Sequence, residues 1–248
     1  MADTVVLDLA PRLTSPWPAW SGPSGGLAAL SPDRPLARAH IRGAAAGRRS
    51  AAGEWSVLTD AREWHAAPLA LPVQPAAWYQ LAAAGGWQAV VADTAHPIAH
   101  DVLTARCSGG PSLTRAWCDL PFAVPVLCAQ ATADGIQPLQ QALMVLHAEG
   151  LPLQRAVVVL AATADGRPPA VVRAAATMLS ARAAAVIHLP HDADIRASGL
   201  QPARIRPRTR QTARELAAAV LAAAHQSFGD PLPDAPQPAP LPTVSVPA

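Results

Sequence analysis

The chain has 248 residues, 51% of them hydrophobic and only 4% aromatic, with a formal charge of +2. That length supports one substantial α/β domain with a full core, and the charge is too mild to indicate a nucleic-acid partner. All 19 basic residues are arginine. A phosphate-binding loop of the form G-x-x-x-x-G-K-[ST] needs its lysine to reach the β- and γ-phosphates, so none lies within these residues.

The first predicted element is a strand over 4–10, a β-branched apolar run of buried-strand length. A loop containing Pro11, Pro16, Pro18 and Pro23 follows, with Trp17 and Trp20 in it. Short helical pieces are expected at 27–30 and 36–46, a loop at 47–53 and a strand at 54–59. Residues 75–84 read as a helix with proline in its first turn, stopped at Gly85 and Gly86.

The second half is more regular. Strands are predicted at 87–93, 124–129, 155–162 and 184–189, the third a Val- and Leu-rich run typical of a parallel strand covered on both faces. Between them, helices are expected over about 134–149 and 168–182, and a last one over about 208–226. Residues 227–248 form a proline-rich tail, expected to be disordered or extended. Strands alternating with helices imply right-handed βαβ units and a mostly parallel sheet flanked by helices, a single three-layer α/β domain over residues 1–226. Ligands of such sheets bind beyond the carboxyl ends of the strands, which here are the turns after Asp8, Asp93, Ala129, Ala162 and Leu189.

Three cysteines (Cys107, Cys118, Cys128) form no CxxC pair and leave one unpaired in any disulfide scheme. A reduced, cytoplasmic protein is the expectation. No secretory signal is visible at the start, and no apolar run is long enough to span a bilayer. The basic run Arg204, Arg206, Arg208, Arg210 and Arg214 reads as a solvated loop and helix start.

Four motifs in order resemble the MinD/ParA-like ATPases, deviant-Walker members of the SIMIBI class of P-loop proteins. VVADT (90–94) resembles a Walker B strand ending in Asp, and VLCAQATADG (126–135) the strand-to-helix turn that follows it. VVVLAA (157–162) resembles their next strand, and IHLPHDADIRASG (187–199) their I-P-x-D loop. The opening VVLDLAPR (5–12) resembles the family's second strand. The resemblance spans roughly residues 3–226 and is greatest to divergent MinD-like proteins of high-GC actinobacteria. It implies a P-loop NTPase-like fold with a vestigial nucleotide and Mg site at Asp8, Asp93, Thr94, Pro190 and Asp192.

The departures from that family are substantial. Its first strand, P-loop and first helix have no counterpart here, and neither do both lysines of its deviant Walker A. The family's D-x-D strand has Asp8 in the first place but Ala10 in the second, where the resemblance expects the water-orienting carboxylate. Phosphoryl transfer depends almost entirely on positioning and charge stabilisation. The expectation is therefore a pseudo-ATPase: a non-catalytic binding or scaffold module without catalytic residues or cofactor, dimerising or pairing with a protein partner. Two alternatives stand beside it: a genuine MinD-like ATPase whose start is truncated, with ATP and Mg retained, and a metal-dependent hydrolase. For the latter, His96 and His100 lie four residues apart with Asp101 adjacent, a spacing able to hold Zn²⁺ or Fe²⁺ on one helix face. His188 and His191 are the candidates to complete such a site, and plain loop histidines are the simpler reading.

Other chemistry has less support. No G-x-S-x-G elbow occurs, and Cys128 falls in a predicted buried strand, where cysteine acts as a small hydrophobe. Gly25-Gly26 and Gly109-Gly110 read as surface turns. Seven tryptophans are many for a chain so poor in aromatics. Those at 17, 20, 55, 64, 78 and 87 are expected to pack over the sheet edge exposed by the missing first strand, with an interaction surface as the alternative. The last helix is alanine-rich and followed by a neutral tail, which does not favour a basic amphipathic membrane anchor.

Overall fold

The run Thr4–Asp8 forms β1, with Val5, Val6 and Leu7 buried, because three apolar residues in a row suit a strand covered on both faces. The computed structural model describes residues 3–21, 25–31, 35–50, 53–199 and 204–230. Helix α1 (Arg38–Ala44), strands β2 (Ala46–Ser50) and β3 (Gly53–Leu58), helix α2 (Pro75–Gly85) and strand β4 (Ala89–Asp93) follow. Their sheet has the order β2-β3-β1-β4. β1 lies parallel to both β3 and β4, whereas β2 is antiparallel to β3. The expected loop at 47–53 is thus largely an edge strand and the start of its hairpin partner. Its small and charged residues carry no apolar period, and its pairing with β3 supplies the order instead.

Helices α3 (Ile98–Ser108) and α4 (Leu113–Cys118) lead to β5 (Val126–Gln130). Then come α5 (Ala133–Ala148), β6 (Val157–Ala161), α6 (Ala170–Ser180), β7 (Ala185–Leu189), α7 (Ala193–Ser198) and α8 (Pro207–Phe228). β5, β6 and β7 form an all-parallel sheet with β6 in the centre. β6 is the most deeply buried strand: Val157, Val158 and Leu160 are inaccessible, and each buried side chain of this kind contributes roughly 1.5–3 kcal/mol. On one face, Val158 and Leu160 meet Ile136, Leu139 and Leu143 of α5 and Val172 and Leu179 of α6. On the other face α8 lies against β7 and β6.

The α/β class and the helix-flanked parallel strands are as expected. The sheet, however, is in two parts. β4 and β5 pair with no strand on their facing edges among the described residues. Cys128 is for that reason exposed on an edge strand and not buried. Of the tail, residues 227 and 228 belong to α8, and 231–248 lie outside the described residues.

Candidate functional site

The parallel strands β1, β3 and β4 end together, which gathers Asp8, Thr59, Asp60 and Asp93 at the position where open α/β sheets place ligands. Asp8 is 2% exposed and Thr59 not at all. The Thr59 hydroxyl donates to Asp8 Oδ2 at 2.6 Å, the Ser15 hydroxyl donates to the same oxygen at 2.8 Å, and the Ala10 amide donates to Oδ1 at 3.2 Å. Asp8 therefore accepts three internal donors.

Asp93, level with Asp8 in the ladder, accepts the indole N–H of Trp17 at 2.6 Å. Trp17 sits in a single 3₁₀ turn, Trp17–Trp20, that follows the proline-rich loop. Its ring meets Trp20 and Trp55 edge-on at centroid distances of 6.2 and 6.3 Å, an arrangement that aromatic quadrupoles favour. Trp55 shares a sheet face with Val57, Val6, Val91 and Asp93 by strand alternation. Three tryptophans thus roof one face of the sheet and not the edge over which the six were expected to pack. Trp78 and Trp87 lie in the opposite core, while Trp64 is exposed.

A second knot closes the end of β3. Asp60 is buried and pairs with Arg12 at 2.9 Å and with Arg62 through both nitrogens at 2.9 Å. The Arg62 side-chain hydrogen bonds hold the Asp60 carboxyl below its ordinary value, against the opposing effect of burial. Gly26 has φ +60, and a side chain there would meet the Thr59 carbonyl oxygen at 2.2 Å, so only glycine lets this loop close over the strand end.

On the other sheet, Asp192 caps α7 by accepting the amides of Asp194 and Ile195 at 3.1 and 3.3 Å. Its second oxygen takes the Arg206 amide at 3.0 Å and the Thr209 hydroxyl at 2.8 Å, tying the end of β7 to the start of α8. Burial opposes ionisation of Asp192, and these hydrogen bonds, the Thr209 hydroxyl foremost, outweigh it, so its pKa is lowered. Pro190 lies between β7 and this cap, and Thr94 is exposed just beyond β4.

The His96, His100 and Asp101 group takes a different form from a metal site. Asp101 accepts the amides of Leu113 and Thr114 at 3.1 and 2.8 Å, pinning the first turn of α4, and His96 Nε2 meets the Thr114 hydroxyl at 3.0 Å. His100 is exposed. Burial pushes the His96 pKa down despite the nearby Asp101. Among the described residues no three His, Cys, Asp or Glu side chains converge as a metal ion requires. His191 instead faces Asp165 at 3.5 Å.

The functional residues that sequence reasoning missed are Ser15, Thr59 and Asp60. For Thr59 and Asp60 a signal existed: an apolar strand running into a polar pair, as at Asp8 and Asp93. No protein-family profile and no curated protein matches the chain. Among solved structures it is similar to the MinC:MinD cell division protein complex of Aquifex aeolicus, with 12% identity and a TM-score of 0.43. The overlap covers 94% of this chain and 86% of that one. A likeness of that degree leaves the functional conclusion to this chain's own residues. No described helix is long and apolar enough to cross a membrane.

Proposed function

We propose that this protein is a non-catalytic binding or scaffold module on a MinD/ParA-like α/β framework, a pseudo-ATPase whose ligand is a protein partner or a second copy of itself. One observation carries the reading. Asp8, Asp93 and Asp192, the three carboxylates that a nucleotide and its Mg²⁺ would call on, are each engaged by internal donors. A cation at Asp8 Oδ2 or Asp93 Oδ2 would compete with the Thr59 hydroxyl or the Trp17 indole for the same oxygen, and any bond lost there would oppose binding. The chain also has no lysine to reach a nucleotide's phosphates in the manner of a P-loop, and phosphoryl transfer rests on such positioning and charge stabilisation.

The test is a calorimetric titration of the 248-residue chain with Mg-ATP and Mg-ADP. No binding is expected up to millimolar nucleotide. Micromolar binding, abolished by Asp93→Ala, would overturn the proposal and restore a nucleotide site. Trp17→Phe in the same titration asks whether the indole is the obstacle: it too is expected to bind nothing.

A further inference from the structure

Beyond that reading, one face of the second sheet is covered unevenly. By alternation, Val126 and Cys128 of β5 share a face with Val157 and Val159 of β6 and Ile187 of β7. Val126 is 42% exposed, while its ladder partner Val157 is inaccessible. Helices α5 and α6 meet Val158 and Leu160 and so lie on the other face. The element over β6 and β7 on this face is α8. With α8 away, Val157, Val159 and Ile187 would join Val126 in one apolar surface across three strands.

Little apolar contact holds α8 along its length. Of its 22 residues, Thr209, Thr212 and Ala223 alone are buried, and Leu221 is 59% exposed. Few buried apolar contacts mark segments that open locally, ahead of the domain as a whole. The fixings lie at the two ends, and they differ. At the start, the buried Asp192 carboxylate takes the Arg206 amide at 3.0 Å and the Thr209 hydroxyl at 2.8 Å, and the Arg206 side chain reaches Asp194 at 3.3 Å. At the far end, Phe228 meets the ring of Phe122 edge-on at 5.3 Å, and the Arg155 guanidinium lies over Phe228 at 5.0 Å.

Phe122 is an unusual residue for its place. It is 70% exposed and has φ +61, the one non-glycine in the left-handed region among the described residues. The Ala123 amide bonds back to the Leu120 carbonyl at 3.2 Å, so Pro121 and Phe122 are the central pair of a tight turn. Proline followed by a residue of positive φ is the type II pattern, whose second central position favours glycine. A bulky side chain there is strained and stays only where its surroundings impose it. The contact with Phe228 is therefore held against the preference of the turn, and its release lets the turn relax.

We propose that α8 is a releasable strap, hinged at Asp192 and clasped by Phe122, Phe228 and Arg155, whose opening uncovers the apolar face of β6 and β7 beside Val126. The sheet stays folded as the strap opens, so the clasp governs when this surface is available. The device does not depend on whether the protein is catalytic.

Residue-resolved hydrogen exchange on the full chain, at a series of low urea concentrations, tests this. Amides of residues 213–224 are expected to exchange at least a hundredfold faster than those of Val157–Leu160, and with a weaker dependence on urea, because a local opening exposes less surface. Phe228→Ala should speed exchange over 213–224 at least a further tenfold and leave β6 unchanged. Phe122→Gly should do the same, with a smaller fall in the urea unfolding midpoint than Phe228→Ala, because glycine suits the turn. With Cys107→Ser and Cys128→Ser in place, the thiol introduced by Val159→Cys should be alkylated by iodoacetamide at least tenfold faster once Phe228→Ala is added. Equal rates and urea dependence in α8 and β6 would overturn the proposal. So would fast exchange limited to the last turn (225–228), which is ordinary fraying, or an alkylation rate that Phe228→Ala leaves unchanged. None of these results bears on the nucleotide titration, so the two readings fail separately.

Discussion

Replacing Asp8 with alanine separates a structural carboxylate from one kept ready for a cation. The Thr59 hydroxyl is completely buried and would lose its acceptor, which costs about 1–3 kcal/mol for an unsatisfied buried group. The Ser15 hydroxyl and the Ala10 amide also lose their acceptor, but they are only partly buried and regain water, adding a smaller amount. The expected destabilisation is about 2–3 kcal/mol. With a urea slope of roughly 2 kcal/mol/M, the unfolding midpoint, followed by far-ultraviolet circular dichroism, should fall by about 1 M or somewhat more. Thr59→Val alone should cost less, and the double variant less than the sum of the two, because both remove the same bond. A carboxylate reserved for a metal is a liability in the free protein, and its removal leaves stability unchanged or improved. An Asp8→Ala chain as stable as the parent, or more so, would refute the structural role assigned to Asp8.

Two further outcomes follow from local geometry. Because burial lowers the folded-state pKa of His96 below 6.5, the unfolded chain binds that proton first. Stability from a neutral His96 is fully present above about pH 6.5 and is lost as pH falls through the lowered folded value; urea midpoints from pH 8 to 5 should fall less steeply in His96→Gln than in the parent. Thr132 caps α5 by accepting the Gly135 amide at 3.0 Å, and Thr132→Ala should cost about 1 kcal/mol, measured by thermal unfolding; no change would mean the cap is replaced by water.

The sequence alone determined the strands at 126–130, 157–161 and 185–189 and the helices α5, α6 and α8, because the strand runs are apolar and those helices start and stop with local signals; α7, in the segment read as a loop, was not foreseen. It also determined that no lysine-bearing phosphate loop lies in these residues, and it placed Asp8 and Asp93 at strand ends. Those properties are local: they depend on side-chain type and period, which a linear reading contains. The hairpin of β2 and β3 was not legible, since Ala46, Gly47, Arg48 and Arg49 have neither β-branched nor apolar alternation, and their order comes from pairing with Glu54–Val57.

What only the tertiary structure decided is the fate of the polar groups. Trp17 is 76 residues from Asp93, and Thr59 is 51 from Asp8. Whether a carboxylate faces a ligand or an internal donor depends on which loop the sheet order brings over it, and a strand's own sequence does not contain that. The same is true of the edges at β4 and β5. Both runs are apolar, and the one-dimensional pattern reads the segment holding Cys128 as a buried strand. Only the sheet order shows that β4 and β5 are edge strands among the described residues, because pairing is a property of neighbours and not of the strand itself.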